Sequence, residues 1–380
     1  MISGRADFGG GPEHVYQLAK ALGKRAQVYV ACPREEPYWS RYEELLGPEF
    51  MFEIPHRRFS FPVLRQLAHF VKQTEIDLLH AHGRAAGIYG RLAAWMAGKR
   101  CCYTPHGGTP IKSLKTLIYA GIEYFFSFGT DRVIAVSPTE GQSLRPLCAR
   151  RGQLVVIPNG VEVPATQPLR EIVPDAALRI IHATRFVYQK NSELLVRILE
   201  NLRATGELWR FQFEILGDGP GRAAFEEKLR TRQLDAFVTL HGAVSNPGDY
   251  LLAADGFIST SRWEGLPLVV LEAMARGVPV IASNVVGNRD AVVHGDTGLL
   301  YDLDAPEQAA RALVQLADDL YLRTWFSNSA WLRALNQFSV GAMAGSTLEI
   351  YQKLSEAEAR ARSAAPVLSP SQPQPEPLKA

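Results

Sequence analysis

The feature that most constrains this 380-residue chain is a sustained alternation of short apolar runs with helix-period segments. Apolar runs of strand length fall at 26–31, 77–82, 100–104, 132–136 and 153–157. They resume at 178–184, 211–216, 237–240, 256–260, 278–282 and 298–301. Segments with helical spacing separate nearly all of them. Strands that recur with a helix between each pair must run parallel, because the helix is the crossover. The stretch "VEVPATQPLREIVPD" (161–175) breaks the alternation and holds Pro164, Pro168 and Pro174. It reads as a linker, so the expected fold class is α/β, with two Rossmann-like doubly wound parallel-sheet domains facing a central cleft. Expected boundaries are 1–163 for the first domain, 164–175 for the linker and 176–340 for the second. A terminal helix follows at 341–356. The tail from 357, rich in Pro, Ser, Gln and Ala, is expected to be disordered.

Composition narrows the function classes. The net charge of +2 argues against a dedicated nucleic-acid binder. Residues 1–163 nevertheless carry 20 Lys+Arg against 14 Asp+Glu, which could favour an anionic surface or substrate. Cys32, Cys101, Cys102 and Cys148 form no C-x-x-C pair and read as buried free thiols in a reducing compartment. The apolar stretch 117–128 contains Glu123 and is too short to cross a bilayer. A cytoplasmic location is expected, with weak membrane association at the inner face.

The segment "TSRWEGLPLVVLEAMARGVPVIAS" (260–283) carries most of the chemistry. A strand ends at Thr260, and a loop follows with Trp263, Glu264, Gly265 and Leu266. Pro267 is expected at the first helical turn, where its missing N–H costs nothing. Leu268, Leu271 and Ala275 form the buried stripe, and Gly277 ends the helix. Glu264 therefore lies at the carboxyl edge of a parallel sheet, where doubly wound folds bind ligands. Glu272, about one and a half turns on, is on the order of 10 Å from it. That spacing suits the two ends of an extended ligand, not the ~5–5.5 Å carboxylate pair of a retaining hydrolase.

This Glu264-x7-Glu272 segment, with Gly265-Leu266-Pro267 inside it, resembles the E-x7-E motif of family 4 (group 1) retaining glycosyltransferases of GT-B fold. The resemblance covers roughly 4–355. It implies that Glu264 contacts the donor sugar and Glu272 the ribose hydroxyls, while the intervening amides cradle sugar and phosphate. Arg185 and Lys190, at a strand–helix junction, match the pair that neutralises the departing diphosphate; Arg would act as a fork and Lys as a point charge. His106 in "YTPHGG" matches a cleft histidine close to donor sugar and diphosphate. Gly217 and Gly219 in "LGDGPGR" fail the full dinucleotide fingerprint, since residue 222 is Arg, but resemble the family's second donor-domain glycine turn. Val244 would lie near the base. "IPNGVEV" (157–163) also matches, and "STLEIYQKL" (346–354) would be the helix that crosses back to the first domain.

Near the start, "MISGRADFGGGPEHVYQLAKAL" has Gly9-Gly10-Gly11 feeding a helical pattern of Val15, Leu18, Ala19 and Leu22. Gly10 and Gly11 would offer backbone amides to the donor diphosphate. The strand that should precede this turn is reduced to Met1-Ile2-Ser3. The expectation drawn from this is that the natural protein starts several residues upstream.

No metal or other cofactor is expected. Asp302-Leu303-Asp304 looks like a D-x-D metal motif, yet Asp304 followed by Glu307 reads better as a helix cap with a capping box. His80 and His82 share a strand face and read as cleft-rim or structural groups, because no Cys or carboxylate has suitable spacing. The expected partners are a nucleotide-sugar donor and a glycan or lipid-linked acceptor in polysaccharide biosynthesis. Two alternatives stay open: a nucleotide-sugar epimerase of similar fold, and a catalytically silent nucleotide-binding subunit.

Overall fold

The computed structural model describes residues 1–56, 58–107, 114–168 and 176–363. Its strands are β1 (Ile2–Ser3), β2 (Val30–Cys32), β3 (Met51–Glu53), β4 (Leu78–His82), β5 (Arg100–Thr104), β6 (Arg132–Ala135) and β7 (Leu154–Val156). After the linker come β8 (Leu178–Ala183), β9 (Phe211–Leu216), β10 (Val238–Gly242), β11 (Gly256–Ser259), β12 (Val280–Ser283) and β13 (Gly298–Tyr301). Two sheets result, ordered β3-β2-β1-β4-β5-β6-β7 and β10-β9-β8-β11-β12-β13. Every pairing within them is parallel. In each sheet the strand order reverses beside the first strand of the domain. Those two switch points, β1/β4 and β8/β11, open the crevices in which doubly wound folds hold ligands.

The alternation of strands and helices was therefore a sound guide, with differences at the edges. The strand expected at 26–31 forms at Val30–Cys32, and β3 was not anticipated. β3 has three half-exposed or exposed residues at the sheet edge, too few for a period to show. β1 is two residues long yet central: Ile2 registers with Ala31 on one side and Ala81 on the other. The Met1 amine donates to the Tyr29 carbonyl, and burial lowers its pKa to about 5. Cys101 and Cys102 face opposite sides of β5, one in each of the two cores flanking the sheet. All four cysteines are unpaired.

The chain passes between the domains at two places, and the two passages are bonded together. Val161 donates to the Phe338 carbonyl at 2.8 Å, and Val340 donates to the Val161 carbonyl at 3.0 Å. Gly160 sits where these passages cross, and a Cβ there would meet Ser339 O and Val340 Cα at 2.8 Å. Beyond the crossing, the helix Val340–Ser363 returns to the first domain. Its Met343, Ala344 and Leu354 join the core made by Val15, Leu18 and Leu22. This helix runs seven residues past 356, so 357–363 is helical where disorder was expected. The rest of the expected tail, 364–380, lies outside the described residues, as do 169–175 of the expected linker.

Candidate active site

Three loops of the second domain converge at the carboxyl edge of β8 and β11. The first follows β8 and carries Arg185 and Lys190. It ends in a short 3-10 turn, Tyr188–Lys190, and in Asn191, whose φ of 54° lets the chain turn sharply into the helix Ser192–Ala204. The second follows β11 and carries Glu264. Hydrogen bonds lock the two together: Thr260 Oγ1 donates to the Lys190 carbonyl at 2.8 Å, and the Arg262 amide to the Gln189 carbonyl at 2.8 Å. Lys190 Nζ then lies 2.7 Å from Glu264 Oε1, with both side chains largely buried. Glu264 also accepts from Ser261 Oγ at 2.6 Å. A charge pair fixed in this way costs little further ordering when it meets a ligand.

The third loop is the glycine turn after β9. Gly217 and Gly219 have φ of 129° and 150°, and a Cβ on either would collide with the backbone of 184–186: at Gly217 it would fall 1.8 Å from Thr184 O. Phe186 donates to the Asp218 carbonyl, and Gly221 donates to the Phe186 carbonyl. Here the glycines brace the Arg185 loop from behind. Arg185 is half-buried on that loop. Val244, two residues past β10, packs half-buried against the core that holds Leu271 and adds apolar surface.

Pro267 is not in the first helical turn. It caps the helix Leu268–Ala275, with ψ of 115° outside the helical region. Gly265 and Leu266 thus belong to an extended loop, and the helix N-terminus begins one residue later than expected. Leu268, Leu271 and Ala275 are buried as the spacing predicts. Leu266 is also buried, and its carbonyl accepts from Asn159 Nδ2 of the first domain at 2.7 Å. Gly287, at φ 85°, packs so closely on Glu264 that a Cβ would lie 2.8 Å from Glu264 Cβ. The cap at the later helix Pro306–Asp318 is Ala305, without a side-chain bond, so the capping box expected from Asp304 and Glu307 does not form.

The first domain faces these loops across a narrow gap. A Cβ on Gly265 would come within 3.5 Å of His106 C and Gly107 Cα. A Cβ on Gly10 would touch Leu268 Cδ1 at 3.7 Å. Gly10 opens the helix Gly10–Leu22 with Gly9 as its cap, so the N–H groups of its first turn point toward the cleft. His106 has φ of 55°, a conformation that non-glycine residues adopt rarely and that clusters at functional sites. The turn is held by Glu140, a buried carboxylate that accepts from the Gly107 amide at 2.5 Å and the Val136 amide at 2.6 Å. Burial raises its pKa, and the two amide bonds oppose that rise.

His14, His80, His82 and His106 stand side by side beneath this turn. His82 Nδ1 is 3.2 Å from His106 Nε2, and His80 Nε2 is 2.8 Å from Thr104 Oγ1. Burial lowers the pKa of each, that of His14 to about 4, so the group is neutral near pH 7 and acts through hydrogen bonds. His14, His82 and His106 bring ring nitrogens within 4.8 Å of one another, a donor set that could hold a transition metal. Among the described residues the D-x-D look-alike at 302–304 joins no such cluster, and Asp302 accepts from Asn284.

Glu272 points from its helix toward the first domain. It is half-buried, and its carboxyl pKa is raised to about 7 by burial first and then by the facing carboxylate of Glu13, with Arg276 opposing. Glu13 is tied down by Arg41 at 3.2 Å, by Gln17 and by Tyr38.

Glu13, His14, Glu140 and Asn159 were not singled out as site residues. Glu140 had a readable signal, since "SPTE" (137–140) is a capping-box pattern, and Ser137 does cap its helix by accepting from the Glu140 amide. What the pattern could not foretell is that the carboxylate reaches across to the His106 turn.

Two doubly wound parallel-sheet domains joined by a bonded pair of crossings form the GT-B architecture. The comparisons agree. The fold matches an Anabaena protein, HepE, solved with UDP and glucose, at a TM-score of 0.79 with 18% identity, over 93% of this chain and 99% of that one. Sucrose-phosphate synthase from Thermosynechococcus elongatus gives 0.78 with 21% identity, over 94% and 99%. In sequence, the Glycosyltransferase Family 4 model matches residues 8–163 and the Glycosyl transferases group 1 model residues 177–319. An Escherichia coli UDP-Gal:alpha-D-GlcNAc-diphosphoundecaprenol alpha-1,3-galactosyltransferase is 31% identical over 70% of this chain and 72% of its own. A D-inositol 3-phosphate glycosyltransferase from Arthrobacter is 30% identical over 92% and 91%. The chain belongs to the group 1, family 4 glycosyltransferases.

Proposed function

We propose that this protein transfers a hexosyl unit from a nucleoside-diphosphate sugar to a lipid-linked saccharide, with retained anomeric configuration and without a metal, in the assembly of a cell-envelope or exported polysaccharide. The observation that carries the reading is the Lys190–Glu264 pair at the β8/β11 switch point, opposite His106 and Gly107. In this reading Arg185 and Lys190 meet the charge that develops on the leaving diphosphate, joined by the N-terminus of the helix Gly10–Leu22. Glu264 orients the sugar while Lys190, held beside it, meets the phosphates. Glu272 accepts from the ribose hydroxyls. His106, neutral, donates a hydrogen bond to sugar or diphosphate. Gly265, Leu266 and Pro267 supply backbone beside the sugar. The acceptor proton goes to the leaving phosphate oxygen. The lipid-linked acceptor is favoured by the E. coli relative, whose name specifies a diphosphoundecaprenol. The four unpaired thiols suit a reducing, cytoplasmic setting.

The test is a panel of nucleotide sugars offered with polyprenyl-diphosphate saccharides in detergent, the product's anomeric configuration being read by NMR. Arg185→Ala or Lys190→Ala should lower kcat by a factor on the order of 10²–10³. A chelator should leave the rate intact. Inversion at the anomeric carbon, or a rate lost to chelator and restored by a divalent ion, would overturn the corresponding part of the reading; the latter would point to His14, His82 and His106.

A further inference from the structure

The helix Leu114–Ser127 is turned inside out. Its apolar residues Leu114, Leu117, Ile118, Ile122 and Phe125 recur at three- and four-residue steps, the spacing of one helix face. In a soluble domain that face would be buried. Here it is the exposed one: Leu114 and Phe125 are 73% and 72% exposed, and Phe128 just past the helix is 58% exposed. The helix's acid points the other way. Glu123 forms a bidentate pair with Arg91, at 2.8 and 3.3 Å, and Arg91 is buried.

The exposed charge along this stretch of the chain has one sign. From 114 to 152 the only acids are Glu123, Asp131 and Glu140. Asp131 is paired with Arg100 at 2.8 Å, and Glu140 is buried beneath the His106 turn. Arg145, Arg150 and Arg151 are exposed on the segment that follows, and Arg150 bonds the Phe128 carbonyl at 2.6 Å, beside the apolar stripe. An apolar stripe followed by exposed arginines, with every carboxylate of 114–152 paired or buried, is complementary to a bilayer surface bearing anionic headgroups. The helix has 14 residues, about 21 Å at ~1.5 Å per residue, short of the ~30 Å hydrocarbon core. Among the described residues no helix is long and apolar enough to cross a membrane. The geometry fits an element that lies in the interface.

We propose that the helix Leu114–Ser127 is a membrane-docking element, lying in the headgroup region of an anionic bilayer with Arg145 and Arg151 on the phosphates. It rests on the lipid-linked-acceptor reading only for its purpose, which would be to hold the cleft against the leaflet that carries the acceptor. Flotation of the full chain with vesicles tests it without any glycosyl transfer. The chain should float with vesicles of equal parts phosphatidylglycerol and phosphatidylcholine, and roughly tenfold less with phosphatidylcholine alone or when salt cuts the screening length to ~3 Å. Ile118→Ser with Phe125→Ser should lower binding to the mixed vesicles by at least about tenfold, and Arg145→Gln with Arg151→Gln should remove the preference for anionic lipid. Both variants alter exposed side chains, and unchanged UDP binding and melting temperature would show that they fold. Equal flotation of parent and Ile118→Ser/Phe125→Ser protein, or none by either, would overturn the proposal. So would a parent dimer that the apolar variant turns into a monomer, because a second copy would then be what covers the stripe. Absence of transfer to polyprenyl acceptors, with flotation intact, would count against the acceptor reading alone.

Discussion

Glu272 joins sequence and electrostatics in one side chain. The E-x7-E spacing picks it out, but its proton affinity comes from the folded surroundings. Burial first, and then the carboxylate of Glu13 from 259 positions earlier, raise the Glu272 pKa to about 7. A ribose whose hydroxyls donate to this carboxyl needs it ionised. In the proposed reading donor binding therefore expels the proton, and affinity should fall by up to about tenfold per pH unit as pH drops below 7. Glu272→Gln should weaken nucleotide binding at pH 8 and flatten this dependence; titration calorimetry from pH 5.5 to 8.5 reads both. The sign for stability is opposite. The folded state binds the extra proton between the usual carboxylate range and pH 7, so this group's contribution declines as pH rises through that window. Glu272→Gln should accordingly melt higher than the parent at pH 8. A pH-independent parent affinity would show that the ribose does not rest on this carboxylate.

Among elements, the long periodic ones were legible and the short ones were not. β9, the buried stripe of the 13-residue helix Ser192–Ala204, and the strand–loop–helix that carries Glu264 all follow from spacing, because each buries enough apolar surface for its period to show. β1 and β3 have two and three residues, and they exist through neighbours that supply their pairing. The site divides in the same way. Arg185, Lys190 and Glu264 lie on loops at strand ends, where topology alone brings them together. Glu13, Glu140 and Asn159 act across elements, and local sequence carries no register for that. The glycine turn after β9 shows the difference in kind. Its residues read as ligand-binding, yet a Cβ at Gly217 would sit 1.8 Å from Thr184 O. Gly217→Ala must push the Arg185 loop out of place, at a φ that also disfavours alanine. We expect a loss of stability on the order of 2 kcal/mol or more, from strain at a special φ/ψ, and at least roughly tenfold weaker nucleotide binding from the displaced cation. Chemical denaturation and calorimetry on the one variant measure both. Weakened binding with unchanged stability would mean that the glycine is there for the ligand and not for the loop.

At the scale of the whole molecule, two domains face one another, and the bonded crossing at Gly160 constrains the angle between them. Arg185, Lys190, Glu264 and Glu272, which the proposed reading gives to the donor, all belong to the second domain, whereas Gly10 and His106 of the first domain face Leu268 and Gly265 of the second. Nucleotide affinity and catalytic rate should therefore respond differently to a change in the angle. Gly160 permits the present angle because its missing Cβ leaves room for Ser339 O, Val340 Cα and Met343 Cβ, all within 2.9 Å of where that atom would be. Two of these are backbone of the second passage, itself hydrogen-bonded to Val161. An added methyl cannot be absorbed by turning a side chain, so the passages must separate. Gly160→Ala should leave nucleotide affinity within about threefold of the parent, while kcat falls roughly 10²-fold, the cost of misplacing groups by about 1 Å. Small-angle scattering should show a more open pair of domains with the nucleotide bound. Gly217→Ala provides the contrast, since it damages the donor site itself and lowers affinity. If Gly160→Ala lost affinity as severely as Gly217→Ala, the donor would be held jointly by both domains from the first encounter, and closure would not be a separate step.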